Sequence, residues 1–112
     1  MRLDQIVIDS CDPPRLARFW AALLEADPVD REGGWSHVQG GDVPRISFQP
    51  VLERRRGKNR LHLDLEVDDI ETAVAVAQAL GAHREGVVVT THLGAYQVMA
   101  DPEGNKFCFV CD

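Results

Sequence analysis

His62, Asp64 and Glu66 occupy alternate positions in the phrase Leu61-His62-Leu63-Asp64-Leu65-Glu66-Val67-Asp68-Asp69. An imidazole titrates near neutrality, and beside carboxylates it can ligate a divalent ion or act as a general base. Leu61, Leu63, Leu65 and Val67 fill the intervening places, so the pattern has a period of two. That period describes a strand with one apolar and one polar face, with all three functional groups on the polar face. Two readings compete. On a face turned to bulk water, His62 only hydrogen-bonds Asp64, Glu66 or Gln5, and the carboxylates are solvated or pair with Lys58 and Arg60. On the floor of a cleft, His62 is a ligand or base, Glu66 shares the acid-base work, and Asp64 touches the bound molecule.

Other reactive side chains are weaker signals. Cys108 and Cys111 have a C-x-x-C spacing. A redox pair of that kind needs a helix N-terminus to lower the thiol pKa. Here the spacing falls in a terminal strand, where positions three apart face opposite sides. Zinc would need a second pair, and only Cys11 remains. The spacing therefore reads as chance, with Cys108 alone lining the cleft. The loop Arg54-Arg55-Arg56-Gly57-Lys58 could clamp an anion, though such runs are more often solvated. Tyr96 suits a stacking wall and Trp35 a pocket roof. His92 reads as exposed and Trp20 as core.

The elements that must position these groups can be read in chain order. Residues 3–10 form a strand with Ile6 and Ile8 on one face and Gln5, Val7 and Asp9 on the other. Asp12 is an N-cap, and Pro13 and Pro14 suit the first helical turn. Leu16, Phe19, Trp20, Leu23 and Leu24 make one helical stripe, which Asp27-Pro28 ends. Burying each such side chain is worth roughly 1.5–3 kcal/mol, so the helix should lie on a sheet. Residues 35–38 and 45–49 read as strands between the glycine turns Gly33-Gly34 and Gly40-Gly41. After residues 61–67, Asp68 and Glu71 resemble a capping box for a helix over residues 70–80, with Gly81 at its C′ position. Residues 83–89, 95–100 and 106–110 complete the strands, the last two joined by the turn Asp101-Pro102-Glu103-Gly104-Asn105.

The halves match. Sliding the chain by 57 positions puts Gln5 on His62, Ile6 on Leu63, Ile8 on Leu65, Asp12 on Asp69 and Leu23 on Leu80. Each half reads strand, helix, then two or three strands, an internal repeat of a β-α-β-β-β unit. The expected fold is α+β, a single domain over residues 1–112 with modules at about 1–52 and 60–112. A curved mixed sheet would enclose a cleft lined by Gln5, Val7, Asp9, His62, Asp64, Glu66 and Cys108.

Composition sets limits. The net charge of −6 argues against nucleic acid as a partner. No apolar run approaches the roughly 18 residues of a membrane span. The first residues lack a charged-then-apolar leader, and three cysteines are an odd number. Both features point to the cytoplasm.

The phrase His62-Leu63-Asp64-Leu65-Glu66-Val67-Asp68-Asp69-Ile70, together with Ala100-Asp101-Pro102-Glu103-Gly104-Asn105, resembles the vicinal oxygen chelate superfamily. Asp12-Pro13 with Leu16-Ala17-Arg18-Phe19-Trp20, then residues 58–64, are similar to its small glyoxalase-like domain proteins. The resemblance covers nearly the whole chain. It implies paired β-α-β-β-β modules, in agreement with the repeat, and a homodimer. In metal-dependent members, which include glyoxalases, extradiol dioxygenases, epimerases and fosfomycin-modifying enzymes, four strands supply ligands to a divalent ion. Other members, such as bleomycin-resistance proteins, bind a drug or metabolite without metal. Carried over residue by residue, the ligand positions are Gln5, Gln49 (with Ser47 the alternative), His62 and Cys108. Only His62 matches the usual ligand type, and a catalytic zinc normally takes three good protein ligands. The resemblance therefore implies a small-molecule-binding protein without a tightly held metal. The alternative is a lyase, isomerase or dioxygenase acting on a small oxygenated metabolite through a weakly held divalent ion at His62.

Overall fold

The computed structural model describes residues 3–52 and 61–112, so the basic loop at 54–58 lies outside the described residues. The chain divides into two compact units, residues 1–55 and 56–112. The fold is α+β, and each unit is one β-α-β-β-β module with a four-stranded mixed sheet.

The first module runs β1 (Gln5–Ser10), α1 (Pro13–Leu24), β2 (Asp27–Asp30), a 3-10 turn (Glu32–Gly34), β3 (Ser36–Gln39) and β4 (Arg45–Pro50). Helix α1 begins where the sequence says it should. Asp12 accepts a hydrogen bond from the Arg15 amide, and Pro13 and Pro14 occupy the first turn, where a missing N–H is harmless. Its apolar stripe lies against β2, β3 and β4. Leu16, Phe19 and Trp20 are buried, as are Val38, Ile46 and Phe48. The helix stops earlier than the Asp27-Pro28 signal implies. Glu25 takes a left-handed conformation (φ 55°) at the C-cap, and Asp27-Pro28 opens β2 instead. Proline is tolerated there because β2 is an edge strand.

The second module runs β5 (Leu63–Glu66), α2 (Ile70–Ala79), β6 (His83–Thr91), β7 (Gly94–Ala100) and β8 (Lys106–Cys111). The N-cap of α2 is Asp69, one residue beyond the Asp68 expected from the capping-box spacing. Its two carboxylate oxygens accept from the Glu71 amide at 3.1 Å and the Thr72 hydroxyl at 2.9 Å. Glu71 instead pairs with Arg84 of β6. Leu80 closes the helix, and Gly81 follows with φ 107°. Ile70, Val74, Ala77, Met99, Phe107 and Phe109 are buried, with the two phenyl rings edge to face at 5.5 Å. The β7–β8 turn is held by buried Asp101, which accepts from the amides of Glu103 and Asn105 and from the Asn105 side chain, each at 2.9 Å. A bulge at Gly86 interrupts β6, where buried Gln97 donates to the carbonyls of Glu85 and Gly86. No helix among the described residues is long and apolar enough to cross a membrane.

The sheet orders are β1-β4-β3-β2 and β5-β8-β7-β6, which are topologically equivalent. In both, the first strand pairs in parallel with the last, and the remaining pairs are antiparallel.

Candidate functional site

Strand alternation decides which side chains share a face. In the second module, Leu63 and Leu65 pair with Phe107 and Phe109 on the helix side. The opposite face carries Asp64 beside Cys108 and Glu66 beside Val110. His62 sits one residue ahead of β5 rather than inside it. Its Nε2 still reaches Asp64 Oδ1 at 3.3 Å, and both side chains are 55% exposed. One ligand atom each from His62, Asp64 and Cys108 fits within a group whose members lie no more than 4.8 Å apart. Burial pushes the Cys108 thiol pKa up, and the nearby Asp64 charge adds to the rise. Without a cation the sulfur is therefore held as a thiol, a poor nucleophile. A divalent ion would reverse that preference, because a coordinating thiol is deprotonated. Glu66 is exposed and lines a shallow recess with Val67, Asp68, Asp69 and Thr72, apart from the three-residue group.

In the first module the same face carries Gln5, Val7 and Asp9 from β1, paired in order with Arg45, Ser47 and Gln49 of β4. Val7–Ser47 therefore corresponds to Asp64–Cys108, which assigns Ser47, not Gln49, to the strand position equivalent to Cys108. Ser47 is fully buried and donates to Gln5 Oε1 at 2.6 Å. It also accepts from Arg31 Nη2 at 3.3 Å. These groups do not fit a metal ion. The serine hydroxyl engages the glutamine oxygen, and a guanidinium stands beside both. Gln49 and Asp9 are exposed on the same face.

Two residues here escape the sequence reading. The Arg31 guanidinium lies 5.3 Å from the ring centroid of Trp35. Among the described residues it pairs with no carboxylate, and its buried Nε has no acceptor. His37 pairs with Ser47 across the sheet and is 3% exposed. Its Nε2 meets Gln39 Oε1 at 3.1 Å, and its Nδ1 has no partner. The alternation Trp35, His37, Gln39 was a usable signal for His37. Arg31 had none, because it lies between β2 and the glycine turn, where periodicity is lost. Gln5, Asp30, Arg31, Glu32 and Trp35 line an open recess of about 680 Å³.

The remaining candidates lie elsewhere on the second module. Tyr96 is in β7, paired with Val89 and Val110, and is 38% exposed. It sits inside a strand rather than at the turn. His92 is exposed in the β6–β7 turn. Cys111 donates to the Asp68 carbonyl at 3.4 Å, and none of the three cysteines is in a disulfide.

Comparison with known proteins adds a family. A family model described as "Glyoxalase-like domain" matches residues 5–110. The fold matches a glyoxalase/bleomycin resistance protein/dioxygenase family enzyme from Burkholderia phytofirmans PsJN with a TM-score of 0.80 and 20% identity, over 96% of each chain. It matches a glyoxalase-related enzyme from Fulvimarina pelagi with a TM-score of 0.77 and 15% identity, over 99% of this chain and 88% of that one. The fosfomycin resistance protein FosX from Mesorhizobium loti matches with a TM-score of 0.76 and 15% identity, over 99% and 92%. No curated protein sequence matches. At these identities the structural likeness speaks for the fold alone.

Proposed function

Because the chain belongs to the glyoxalase-like domain family, we propose that it binds a small organic molecule on the polar face of its first module and holds no metal tightly. One observation carries this reading. Gln5, at the first-strand ligand position that the resemblance implies, and Ser47, the alternative to Gln49 for the β4 position, are hydrogen-bonded to each other at 2.6 Å. Gln5 lines an open polar recess, and Ser47, itself buried, holds the glutamine oxygen there instead of leaving it to an ion. Recesses of a few hundred Å³ with a few fixed polar groups and an aromatic wall suit small ligands.

A second reading stands on the grouping of His62, Asp64 and Cys108. These three would hold a divalent ion through nitrogen, oxygen and sulfur, a set suited to zinc and its neighbours. Such an ion supplies Lewis-acid polarisation of a ligand oxygen. Glu66, outside that group, remains free to accept a proton, as lyase or isomerase chemistry on an oxygenated metabolite requires. Dioxygenase chemistry belongs to the same alternative.

A thermal melt of EDTA-stripped protein, with and without excess Zn²⁺, Ni²⁺, Mn²⁺ or Fe²⁺, separates the two readings. An ion at a hundred times its Kd stabilises the fold by roughly 2.7 kcal/mol. The first reading expects no shift with any ion. A shift in the parent that disappears in His62→Ala would displace it in favour of the second.

We also read the protein as a cytoplasmic homodimer. Within its sheet each module has two edge strands, β1 and β2 or β5 and β6, whose free backbone groups a second copy can meet. Three cysteines outside any disulfide suit a reducing compartment. Light scattering behind size exclusion checks the dimer.

A further inference from the structure

We propose that Arg31 is the anchor for a carboxylate group, so that the ligand of the first-module recess is a small monoanionic organic acid with a flat apolar body. This rests on the reading of that recess as a small-molecule site, and it names the ligand class. The guanidinium has donors to spare: Nη2 serves Ser47, Nε has no acceptor, and no carboxylate among the described residues pairs with it. An arginine fork matches a carboxylate with two parallel hydrogen bonds. The guanidinium carbon lies over the Trp35 ring, 5.3 Å from its centroid, a cation–π contact that restricts the side chain and lowers the conformational freedom lost on binding.

The two neighbouring acids do not neutralise the anchor. Asp30 adds to the lining of the recess, but strand alternation, which pairs it with Ser36, turns its carboxylate to the helix side. There it takes Arg18 at 3.2 Å and the Ser36 hydroxyl at 2.9 Å. Glu32 lines the recess and is exposed. Arg31 is the single cation among the five lining residues, which suits one negative charge better than the two of a phosphate monoester. Trp35, the aromatic member of that lining, accounts for the flat apolar body.

Two-dimensional NMR on the full ¹⁵N-labelled chain tests this, following the Arg31 Nε–H and Trp35 indole N–H signals. The probes are benzoate, its neutral counterpart benzamide, and phenyl phosphate. Benzoate should move both signals saturably, with an apparent affinity at least about tenfold above that of benzamide. Arg31→Ala should abolish the preference for benzoate. Arg31→Lys keeps the charge and the stem but loses the fork, so it should keep the fold and retain only part of the preference. Glu32→Gln should tighten benzoate binding. If benzamide binds as well as benzoate, or if Arg31→Ala keeps the preference, the carboxylate assignment is overturned while the small-molecule site stands. Tighter binding of phenyl phosphate overturns the monoanion class. If none of the three probes moves these signals, the inference and the reading of this recess fall together.

Discussion

The two modules are built on one plan and finished with opposite chemistry. Their strand orders correspond, as do the registers of β1–β4 and β5–β8, and each lays one amphipathic helix on the apolar side of its sheet. On the other side, Gln5, Val7, Ser47 and His37 of the first module stand where the second has His62, Asp64, Cys108 and Val98. The first face gathers an amide, a hydroxyl and a guanidinium, a set that receives anions and carbonyls. The second gathers an imidazole, a carboxylate and a thiol, a set that receives cations. The helix-side residues must interlock at crystal-like density, which keeps them large and apolar in both modules. Most of the opposite face, Ser47 and His37 apart, is exposed or half-buried and less constrained, so the difference between the modules is concentrated there.

The largest expected effect tests whether the correspondence extends to the turns. Counting back four residues from Val98 and from His37 reaches Gly94 and Gly33, both with positive φ. A Cβ on Gly94 would lie 2.5 Å from the Cys111 carbonyl oxygen and 3.2 Å from the Asp112 Cα. One on Gly33 would meet nothing nearer than Trp35 Cδ1 at 3.7 Å. Gly94→Ala therefore adds a backbone collision to the left-handed penalty and should cost about 3 kcal/mol. Gly33→Ala should cost about 1 kcal/mol. Urea unfolding of both variants measures the gap. Equal losses would mean that the close approach of the chain end to Gly94 is not part of the folded state.

A transplant sharpens the contrast between the faces. Placing Gln5→His, Val7→Asp and Ser47→Cys in a His62→Ala background rebuilds the second module's ligand types on the first module's register. If side-chain identity alone separates the faces, Zn²⁺ at about ten times its Kd should raise stability by about 1.4 kcal/mol. Arg31 beside position 47 opposes the ion, so adding Arg31→Ala should increase the gain. A transplanted module that ignores zinc even with Arg31 removed would show that the shared register does not extend to ligand geometry.

Much of this was legible in the chain itself. The α1 stripe, the Asp12 cap with its two prolines, the Asp101–Asn105 turn and the 57-residue offset all led to the observed modules. They did so because burial and capping act through local spacing. The errors came where two signals of similar strength lay side by side. Asp68 and Asp69 both suit an N-cap, and only the Asp69 contacts with Glu71 and Thr72 decide between them. Asp27-Pro28 reads as a helix stop, yet Glu25 ends the helix and the proline sits in an edge strand. The polar faces were only partly legible. His62 and Asp64 were visible as an alternating pair, but that Cys108 completes their group depends on the β5–β8 register. Arg31 reaches Ser47 across 16 residues, a contact that no periodicity encodes.

The smallest expected effect separates the modules by pH. In the first, the Arg18 hydrogen bond, aided by that of Ser36, lowers the Asp30 pKa, while burial opposes the shift. A lowered carboxylate pKa contributes stability above the ordinary value of about 3.9, and that contribution is lost as pH falls through the lowered value. In the second module, burial and then the Asp64 charge raise the Cys108 pKa. A raised thiol pKa contributes stability below the ordinary value of about 8.5, and that contribution is lost as pH rises through the raised value. Melting temperatures of metal-free protein across this range should therefore show an acid arm that Asp30→Asn flattens and an alkaline arm that Cys108→Ser flattens. Asp64→Asn should trim the alkaline arm without erasing it, since burial is the larger cause of the shift. Complete loss of the alkaline arm in Asp64→Asn would make the Asp64 charge the governing cause at Cys108. The second face would then be as acidic in its energetics as it is in its residue types, and the contrast with the guanidinium-bearing first face would be electrostatic throughout.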